Sequence, residues 1–286
     1  MSAPPDAFEG RSVWRARPAA LHACAAIVLL AGCAAPRPTS RPSASPADAD
    51  PEWHYEGESG PEHWGALDPA FTRCADGRRQ SPIDIRAATP EGTAPAMQLR
   101  FPPATLRIAH HEHVADGINN GHTIQVNYDD GDTLTVGQTT YPLVQYHFHH
   151  PSEHTLEGRR YPMEMHLVHR AAVGAMAVIG VLIREGAHNA AFDPIWSRLP
   201  DRTGEELHYE HITVDIDALL PASHRSYRYD GSLTTPPCTE DVKWFVLTDP
   251  IELDSGQIQA FEARVADNSR PLQPGNGRVV LVDVVH

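Results

Sequence analysis

From Trp53 onward the sequence is a succession of short strand-like segments, and this pattern restricts the fold to one dominated by β-structure. The segments are apolar-alternating or β-branched and are separated by Gly, Pro, Asn and Asp: TLRIAH, HTIQVNY, TLTVG, LVQYHFHH, MEMHLVHR, AMAVIGVLI, HITVDI and KWFVLTDPIEL. The continuously apolar run AMAVIGVLI is typical of a central strand covered on both faces. Helical patterns occupy only residues 190–199 and 254–267, the second with a possible N-cap at Asp254 or Ser255. We therefore expect one β-rich domain over residues 53–286.

The first 52 residues read as export and tether sequence. Arg11, Arg15 and Arg17 precede the apolar run AALHACAAIVLLAGC, which has the plan of a secretory signal peptide over residues 1–32. The run ends in LAGC, which is similar to the lipobox of bacterial lipoproteins and predicts lipidation of Cys33; the alternative is an ordinary cleavage site with a chance cysteine. Residues 33–52 are rich in Pro, Ala and Ser and predict a flexible tether. The expected location is the periplasm or cell envelope, and Ala34 after the cysteine favours the outer membrane.

The net charge limits the partners that the protein can bind, and the cysteine content predicts a disulfide. A formal net charge of −14 argues against nucleic acid or an anionic surface as partner. The expected contact with a membrane is therefore the lipid anchor alone. Cys74 and Cys238 remain once the two N-terminal cysteines are set aside, and an even pair in an oxidising compartment predicts one disulfide. The sequence does not fix the oligomeric state, and a dimer is possible.

The stretch QYHFHHPSEH contains the first candidates for chemistry. It continues a predicted strand, and side chains alternate between the faces of a strand, so His147 and His149 point to one side and Phe148 to the other. Two imidazoles held side by side on a rigid strand are typical of a metal-ligand pair.

A third histidine is expected from the next strand. In MEMHLVHR, Glu164, His166 and Val168 share a face, and antiparallel pairing would bring His166 within reach of the first two histidines. Three neutral histidines with a fourth position open are typical of catalytic zinc, whereas closed four-ligand sites are structural. His169, on the opposite face, is expected to be structural.

Five motifs, occurring in one order, resemble those of the α-class carbonic anhydrases: RRQSPIDI, NNGHTIQV, QYHFHHPSEHTLEG, MEMHLVH and SLTTPPC. The resemblance covers nearly all of residues 53–273. It implies a mainly β fold, a single domain built on a large, twisted, mostly antiparallel central sheet with few short helices. It also implies a Zn²⁺ cofactor on His147, His149 and His166, carbon dioxide and bicarbonate as the small-molecule partners, and reversible hydration of carbon dioxide by attack of zinc-bound hydroxide.

The resemblance assigns roles to further residues. Thr234 would accept the proton of the hydroxide, Glu153 would accept the proton of Thr234, and His122 would shuttle the product proton to buffer. The supports of the metal ligands would be Gln145, Glu164, His154 and the carbonyl of Asn268. The apolar wall for carbon dioxide would be Val168, Val178, Leu233 and Trp244, and the polar wall Asn120, Gln125 and Thr235. It also implies cis peptides before Pro82 and Pro237, while His150 stands where many relatives carry Trp or Thr.

Two other functions stay open at this point. One is a catalytically silent relative that serves as a binding module; such proteins usually lack a zinc histidine, and this chain keeps all three. The other is a lipid-anchored zinc-binding protein that uses the HHEH cluster at residues 110–113. An open site with apolar walls fits metal capture poorly, because capture favours a closed coordination shell.

Overall fold

The computed structural model describes residues 52–102, 104–111, 123–127 and 131–283, which belong to one structural unit. The strands are β1 (Asp84–Ile85), β2 (Ala88–Glu91), β3 (Met97–Arg100), β4 (Ala104–His111), β5 (Thr123–Asn127), β6 (Thr133–Val136), β7 (Thr139–His149), β8 (Thr155–Leu156), β9 (Arg159–Arg160), β10 (Met163–Arg170), β11 (Met176–Glu185), β12 (Glu206–Val214), β13 (Ser226–Ser232), β14 (Glu240–Leu247), β15 (Ile251–Leu253) and β16 (Val280–Asp283).

Helices are few and short. They are α1 (Trp64–Leu67), α2 (Arg73–Asp76), α3 (Asp193–Trp196) and α4 (Ser255–Glu262), with 3₁₀ turns at Gly57–Ser59, Pro69–Phe71, Ala190–Phe192 and Asp217–Leu219. Asp254 caps α4 through a reciprocal capping box with Gln257, because its carboxylate accepts the Gln257 N–H while the Gln257 side chain accepts the Asp254 N–H. No helix in the described ranges has the length and apolar character needed to cross a membrane.

Most strands belong to one 13-stranded sheet with the order β12-β4-β5-β7-β10-β11-β14-β13-β16-β2, to which β3, β6 and β15 are attached. Strands β1, β8 and β9 form a separate three-stranded sheet. Pairing is antiparallel except between β1 and β8, β11 and β14, β11 and β15, and β16 and β2. The prediction of a mainly β fold on a large, mostly antiparallel sheet is therefore confirmed.

Strand β11 lies between β10 and β14 and is buried from Met176 to Ile183, as its unbroken apolar run predicts. Its neighbour β10 coincides with the predicted segment MEMHLVHR. The segment KWFVLTDPIEL, by contrast, divides into β14 and β15, because Pro250 lacks the N–H that a continuous strand would need. The helical pattern at 190–199 forms only a 3₁₀ turn and the single turn of α3.

The two faces of the sheet bury two different cores. Phe148, Met165 and Leu167 point into the larger core, which packs against α4 through Ile258 and Phe261. The other face carries a second apolar cluster that includes Val168, Val178, Leu182, Leu233 and Trp244. Alternation along β7 and β10 therefore sends His147, His149 and His166 to the face of the second cluster and His169 to the face of the larger core.

The Cys74–Cys238 disulfide is formed, with a Cα–Cα distance of 5.0 Å. It connects α2 with the loop that follows β13, and both cysteines pack against a small cluster of Trp53, Trp64 and Phe71. The peptides before Pro82 and Pro237 are cis, as the resemblance implies, and so is the peptide before Pro151, which the sequence did not suggest.

Candidate metal centre

Three histidines converge where β7 and β10 lie side by side. His147 faces His166 across the strand pair, and His149 follows two residues later on the same face. Nε2 of His147 lies 3.0 Å from Nε2 of His149, and the rings of His149 and His166 are 4.5 Å apart between centroids. All three side chains are buried, and one ring nitrogen from each lies within 4.8 Å of the others.

The outward ring nitrogen of each histidine is held by an oxygen. Nδ1 of His147 donates to Oε1 of Gln145 at 2.8 Å, and Nδ1 of His149 donates to the carbonyl of Asn268 at 2.8 Å. Nε2 of His166 donates to Oε1 of Glu164 at 2.9 Å. Because these oxygens accept and cannot donate, each hydrogen bond fixes the tautomer of its imidazole.

The fixed tautomers leave three unprotonated nitrogens directed at one another, namely Nε2 of His147, Nε2 of His149 and Nδ1 of His166. Lone pairs at this spacing repel unless a cation lies among them, so the residues present fit a bound metal ion. Burial first, and then the neighbouring His149 and His166, hold the pKa of His147 well below its usual range; burial lowers the pKa of His149 to about 4. The imidazoles are therefore neutral at physiological pH, as metal ligands must be.

Glu164 is the anchor of the third histidine. Its Oε1 accepts from His166 at 2.9 Å and from Nδ1 of His154 at 2.7 Å, while Oε2 accepts the backbone N–H groups of Glu153 and His154 at 2.9 and 2.8 Å. Burial alone would raise the pKa of this carboxyl, but His154 and His166 hold it well below its usual range. Glu164 is therefore an ionised acceptor with every lone pair directed at a donor.

The network continues away from the metal centre. Nε2 of His154 accepts from the hydroxyl of Tyr229 at 2.6 Å, and Tyr229 in turn contacts the hydroxyl of Ser81 at 2.8 Å. His154, Glu164 and His166 also lie close enough to suggest a second metal group. That group cannot bind a cation in this arrangement, because both imidazoles present N–H donors to the carboxylate.

Glu153 lies beneath the histidines without hydrogen-bonding to them. Its Oε2 is 3.6 Å from Nε2 of His149, and its Oε1 accepts the backbone N–H of Arg270 at 2.8 Å. Burial raises the pKa of Glu153 to about 6, and the opposing groups include His166, the Arg270 N–H and the hydroxyl of Thr234. Thr234 is thus near enough to lower the pKa of Glu153, while Oε2 of Glu153 makes no hydrogen bond of normal geometry among the described residues.

An apolar surface adjoins the centre. Val168 pairs with Val178 across β10 and β11, and Val178 pairs with Trp244 across β11 and β14, so the three side chains form one patch that Leu233 joins. The Trp244 ring lies 4.9 Å from that of His166. On the opposite side, Gln125 is paired with His147 in the register of β5 and β7, and its amide donates to Asn127. Thr235 is buried next to Thr234.

Some of the predicted residues are not part of this arrangement. Asn120, His122, His113 and Cys33 lie outside the described residues, and only the backbone of His110 and His111 is described, in β4. His169 is buried on the opposite face, near Phe101, and its Nδ1 donates to the carbonyl of Leu167. His150 turns away from the ligands and contacts the carbonyl of Pro162 and the carboxylates of Glu262 and Asp267.

Sequence reasoning missed four residues that shape the centre: Ser81, Gly180, Tyr229 and Arg270. Arg270 is buried, and its guanidinium donates to Gln80 and to the carbonyls of Ser81 and Cys74, which holds its backbone N–H against Glu153. The sequence does contain a signal for Gly180, because it is the one glycine in the apolar run AMAVIGVLI.

Fold and site together describe one class of protein: a large β-sheet that carries three buried, neutral histidines directed at one another, with an apolar wall beside them. Comparison with known proteins agrees with this class. The family model for eukaryotic-type carbonic anhydrase matches residues 59–284. A carbonic anhydrase of Nostoc is 42% identical over 242 residues, 83% of this chain and 88% of that protein. A carbonic anhydrase of Pectobacterium carotovorum is 42% identical over 240 residues, 84% and 93% of the two chains.

Solved structures point the same way. The α-carbonic anhydrase of Thermovibrio ammonificans, in complex with the inhibitor sulfanilamide, aligns with a TM-score of 0.75 and 36% identity, covering 82% of this chain and 100% of that one. The chain belongs to the α-class, eukaryotic-type carbonic anhydrase family. The family's activity is the interconversion of carbon dioxide and bicarbonate, and this protein is an enzyme of that class.

Proposed function

We propose that the protein catalyses zinc-dependent, reversible hydration of carbon dioxide to bicarbonate and a proton at the His147–His149–His166 centre. The observation that supports this most directly is that three imidazole lone pairs converge. A hydrogen bond at the other ring nitrogen fixes the tautomer of each imidazole. Zinc prefers neutral imidazole in an open three-ligand site. When bound, it supplies a Lewis acid that lowers the pKa of water and so makes a nucleophile available near neutral pH.

The residues around the centre then divide the remaining work. Ionised Glu153 accepts a hydrogen bond from the Thr234 hydroxyl, which leaves the Thr234 oxygen free to accept a hydrogen bond from the nucleophile. That second bond orients a lone pair of the nucleophile toward carbon dioxide. The patch of Val168, Val178, Leu233 and Trp244 offers the apolar substrate a dry surface beside the reaction centre. Gln125, Thr235 and Asn120 would hold water along the opposite wall. His122 would accept the product proton and release it to buffer.

The test is carbon dioxide hydration measured together with zinc content in the purified full chain. We expect about one zinc per chain, loss of activity with a chelator and its return with Zn²⁺. His147→Ala should lose both metal and activity, whereas His208→Ala, a change at an exposed histidine of β12, should keep both. Because the Thermovibrio relative binds sulfanilamide as an inhibitor, sulfanilamide should inhibit this enzyme too. Activity that survives complete zinc removal would contradict the proposal.

We also propose that the enzyme is exported and held at the cell envelope by lipid on Cys33. The support comes from the sequence: the signal-like residues 1–32, the LAGC motif and the Pro/Ala/Ser-rich residues 33–52. The Cys74–Cys238 disulfide is compatible with an oxidising compartment. No other contact with a membrane is part of this proposal.

A further inference from the structure

Gly180 occupies a position where glycine is unfavourable. It lies in the middle of the buried strand β11, paired with His166 on β10 and with Val246 on β14. Glycine in a central strand loses more conformational freedom on folding than any other residue and packs nothing. Its φ is not positive, unlike that of several turn glycines of the chain, so the backbone conformation does not require it. The reason for glycine must therefore be space.

The space belongs to Glu164. A Cβ built on Gly180 would lie 2.9 Å from Oε1 of Glu164, closer than real Cβ atoms come to a neighbour, but 3.5 Å from Val246 and 3.7 Å from Trp244, which are ordinary contacts. Only the carboxylate is in the way. Oε1 of Glu164 is the atom that accepts from both His166 and His154.

The carboxylate has no room to yield. Its second oxygen is fixed by the N–H groups of Glu153 and His154, and the side chain is fully buried, so no water can replace a lost partner. A shift of a few tenths of an ångström at Oε1 would lengthen the 2.9 Å bond to His166 and weaken the restraint on its tautomer. The unprotonated Nδ1 would then be held less firmly toward His147 and His149.

We propose that Gly180 is a positioning residue for the metal centre: its missing side chain provides the space in which Glu164 holds His166 in its metal-binding tautomer. The inference rests on the proposed function, since it deepens the account of the same site. Gly180 acts only through Glu164 and touches no reacting atom.

The test is a double-mutant cycle of Gly180→Ala and Glu164→Asp, read by competition of the protein with a chelator for Zn²⁺. Gly180→Ala should weaken zinc binding roughly 10- to 100-fold, the usual effect of disturbing a partner of a metal ligand. Glu164→Asp shortens the side chain and should weaken binding on its own. In the Gly180→Ala background it withdraws the carboxylate from the new methyl group, so its cost should shrink by roughly fivefold or more. Additive effects would overturn the proposal.

Two controls separate this outcome from general damage. Gly275→Ala makes the same change at an exposed glycine with no atom within 4 Å of the new Cβ, and it should leave zinc affinity unchanged. If Gly180→Ala alone fails to fold, the double variant must fold; if neither folds, the proposal is wrong.

A measurement without metal keeps the inference distinct from the proposed function. In the metal-free wild type, NMR should show a protected ring N–H on Nε2 of His166, and this signal should shift or disappear in Gly180→Ala. If the wild type proves to bind no zinc but the signal behaves as described, the proposed function fails, while the effect of Gly180 on Glu164 and on the His166 tautomer stands. An unchanged His166 signal in a folded Gly180→Ala protein overturns the role of Gly180.

Discussion

Burial of His169 is expected to make the stability of the protein depend on pH. This residue stands three positions after His166, but alternation sends it into the apolar core, where its Nε2 has no hydrogen-bond partner among the described residues. Burial lowers the pKa of His169 to about 4. In the unfolded chain the same side chain has its ordinary pKa near 6.5. The contribution of His169 to the free energy of unfolding is therefore fully present above pH 6.5 and is lost as the pH falls toward 4.

His169→Gln should remove this dependence, because glutamine does not titrate and can still donate to the Leu167 carbonyl. Between pH 7.5 and pH 5 the wild type should lose about 2 kcal/mol more in free energy of unfolding than the variant. Urea denaturation of the metal-free proteins at both pH values measures the difference, and working without metal removes the titration of zinc binding. Parallel losses in the two proteins would show that His169 does not titrate as described.

His122 is a residue whose role rests on resemblance alone, since it lies outside the described residues. His122→Ala should keep zinc and kcat/KM, which reports the carbon dioxide step, while kcat falls roughly tenfold or more because the product proton loses its acceptor. Imidazole buffer should restore much of the loss, and His208→Ala should show no such effect. A kcat that is unchanged at low buffer concentration would mean that the proton leaves by another path, with His110, His111 and His113 the next candidates.

At the scale of single residues, the sequence predicts which three histidines lie together and only part of the hydrogen-bond network around them. Alternation within β7 and β10 places His147, His149 and His166 on one face by local rules alone. Tyr229 and Ser81 escape such rules, because their contacts span 75 and 148 residues of sequence and depend on how distant strands pack. Gln145 and Glu164 precede their ligands by two positions, which is why a local reading reaches them.

Among the elements, the loop between β13 and β14 is held by the Cys74–Cys238 disulfide. The loop carries Thr234, Thr235 and Cys238. The N–H of Cys238 donates to the carbonyl of Thr235 at 2.8 Å, and the carbonyl of Cys238 accepts from Gln80. The disulfide to Cys74 ties this loop to α2 across a sequence separation of 164 residues. The Cys238 end of the crosslink lies in the loop that carries Thr234, and at the other end the carbonyl of Cys74 accepts from Arg270, whose N–H donates to Glu153.

Replacing both cysteines, Cys74→Ser with Cys238→Ser, should lower the free energy of unfolding by roughly 2–5 kcal/mol, since a long loop is released in the unfolded chain. Denaturation of the variant beside the oxidised wild type measures this, and reduced wild type serves as the control that should match the variant. Equal stability of the oxidised and reduced wild type would contradict the prediction, as would two free thiols in protein taken from an oxidising compartment.

Sequence reasoning found the described strands of eight or more residues, at least in part, together with the shorter strands β5 and β6. Strands β7, β10 and β11 are eight or more residues long, so their alternation or unbroken apolarity is statistically visible. Strands β1, β8 and β9 have two residues each and follow no pattern of their own, because partners in the folded sheet create them. Strand β13, with the sequence SYRYDGS, was missed because charged residues and glycine interrupt its apolar alternation.

For the whole molecule, the described residues contain the candidate metal centre, and the proposed lipid anchor at Cys33 lies outside them. Cys33→Ser should release the enzyme from membranes in soluble form with unchanged activity, because the tether carries none of the residues at the centre. Membrane fractionation followed by a hydration assay tests both parts, and mass spectrometry of the wild type should find lipid on Cys33. Retention of the variant on membranes, or a wild type without lipid, would contradict the lipoprotein assignment.

Two of the hydrogen bonds around the candidate metal centre come from residues near the end of the chain. His149 depends on the carbonyl of Asn268, 119 residues later in the chain, and Glu153 depends on the N–H of Arg270, 117 residues later. A nascent chain that ends before Asn268 would contain all three ligands and still leave one imidazole and one carboxylate unsupported. The support that the proposed zinc site needs is therefore complete only when almost the entire polypeptide has been synthesised, which would make zinc binding a late event in the biogenesis of the enzyme.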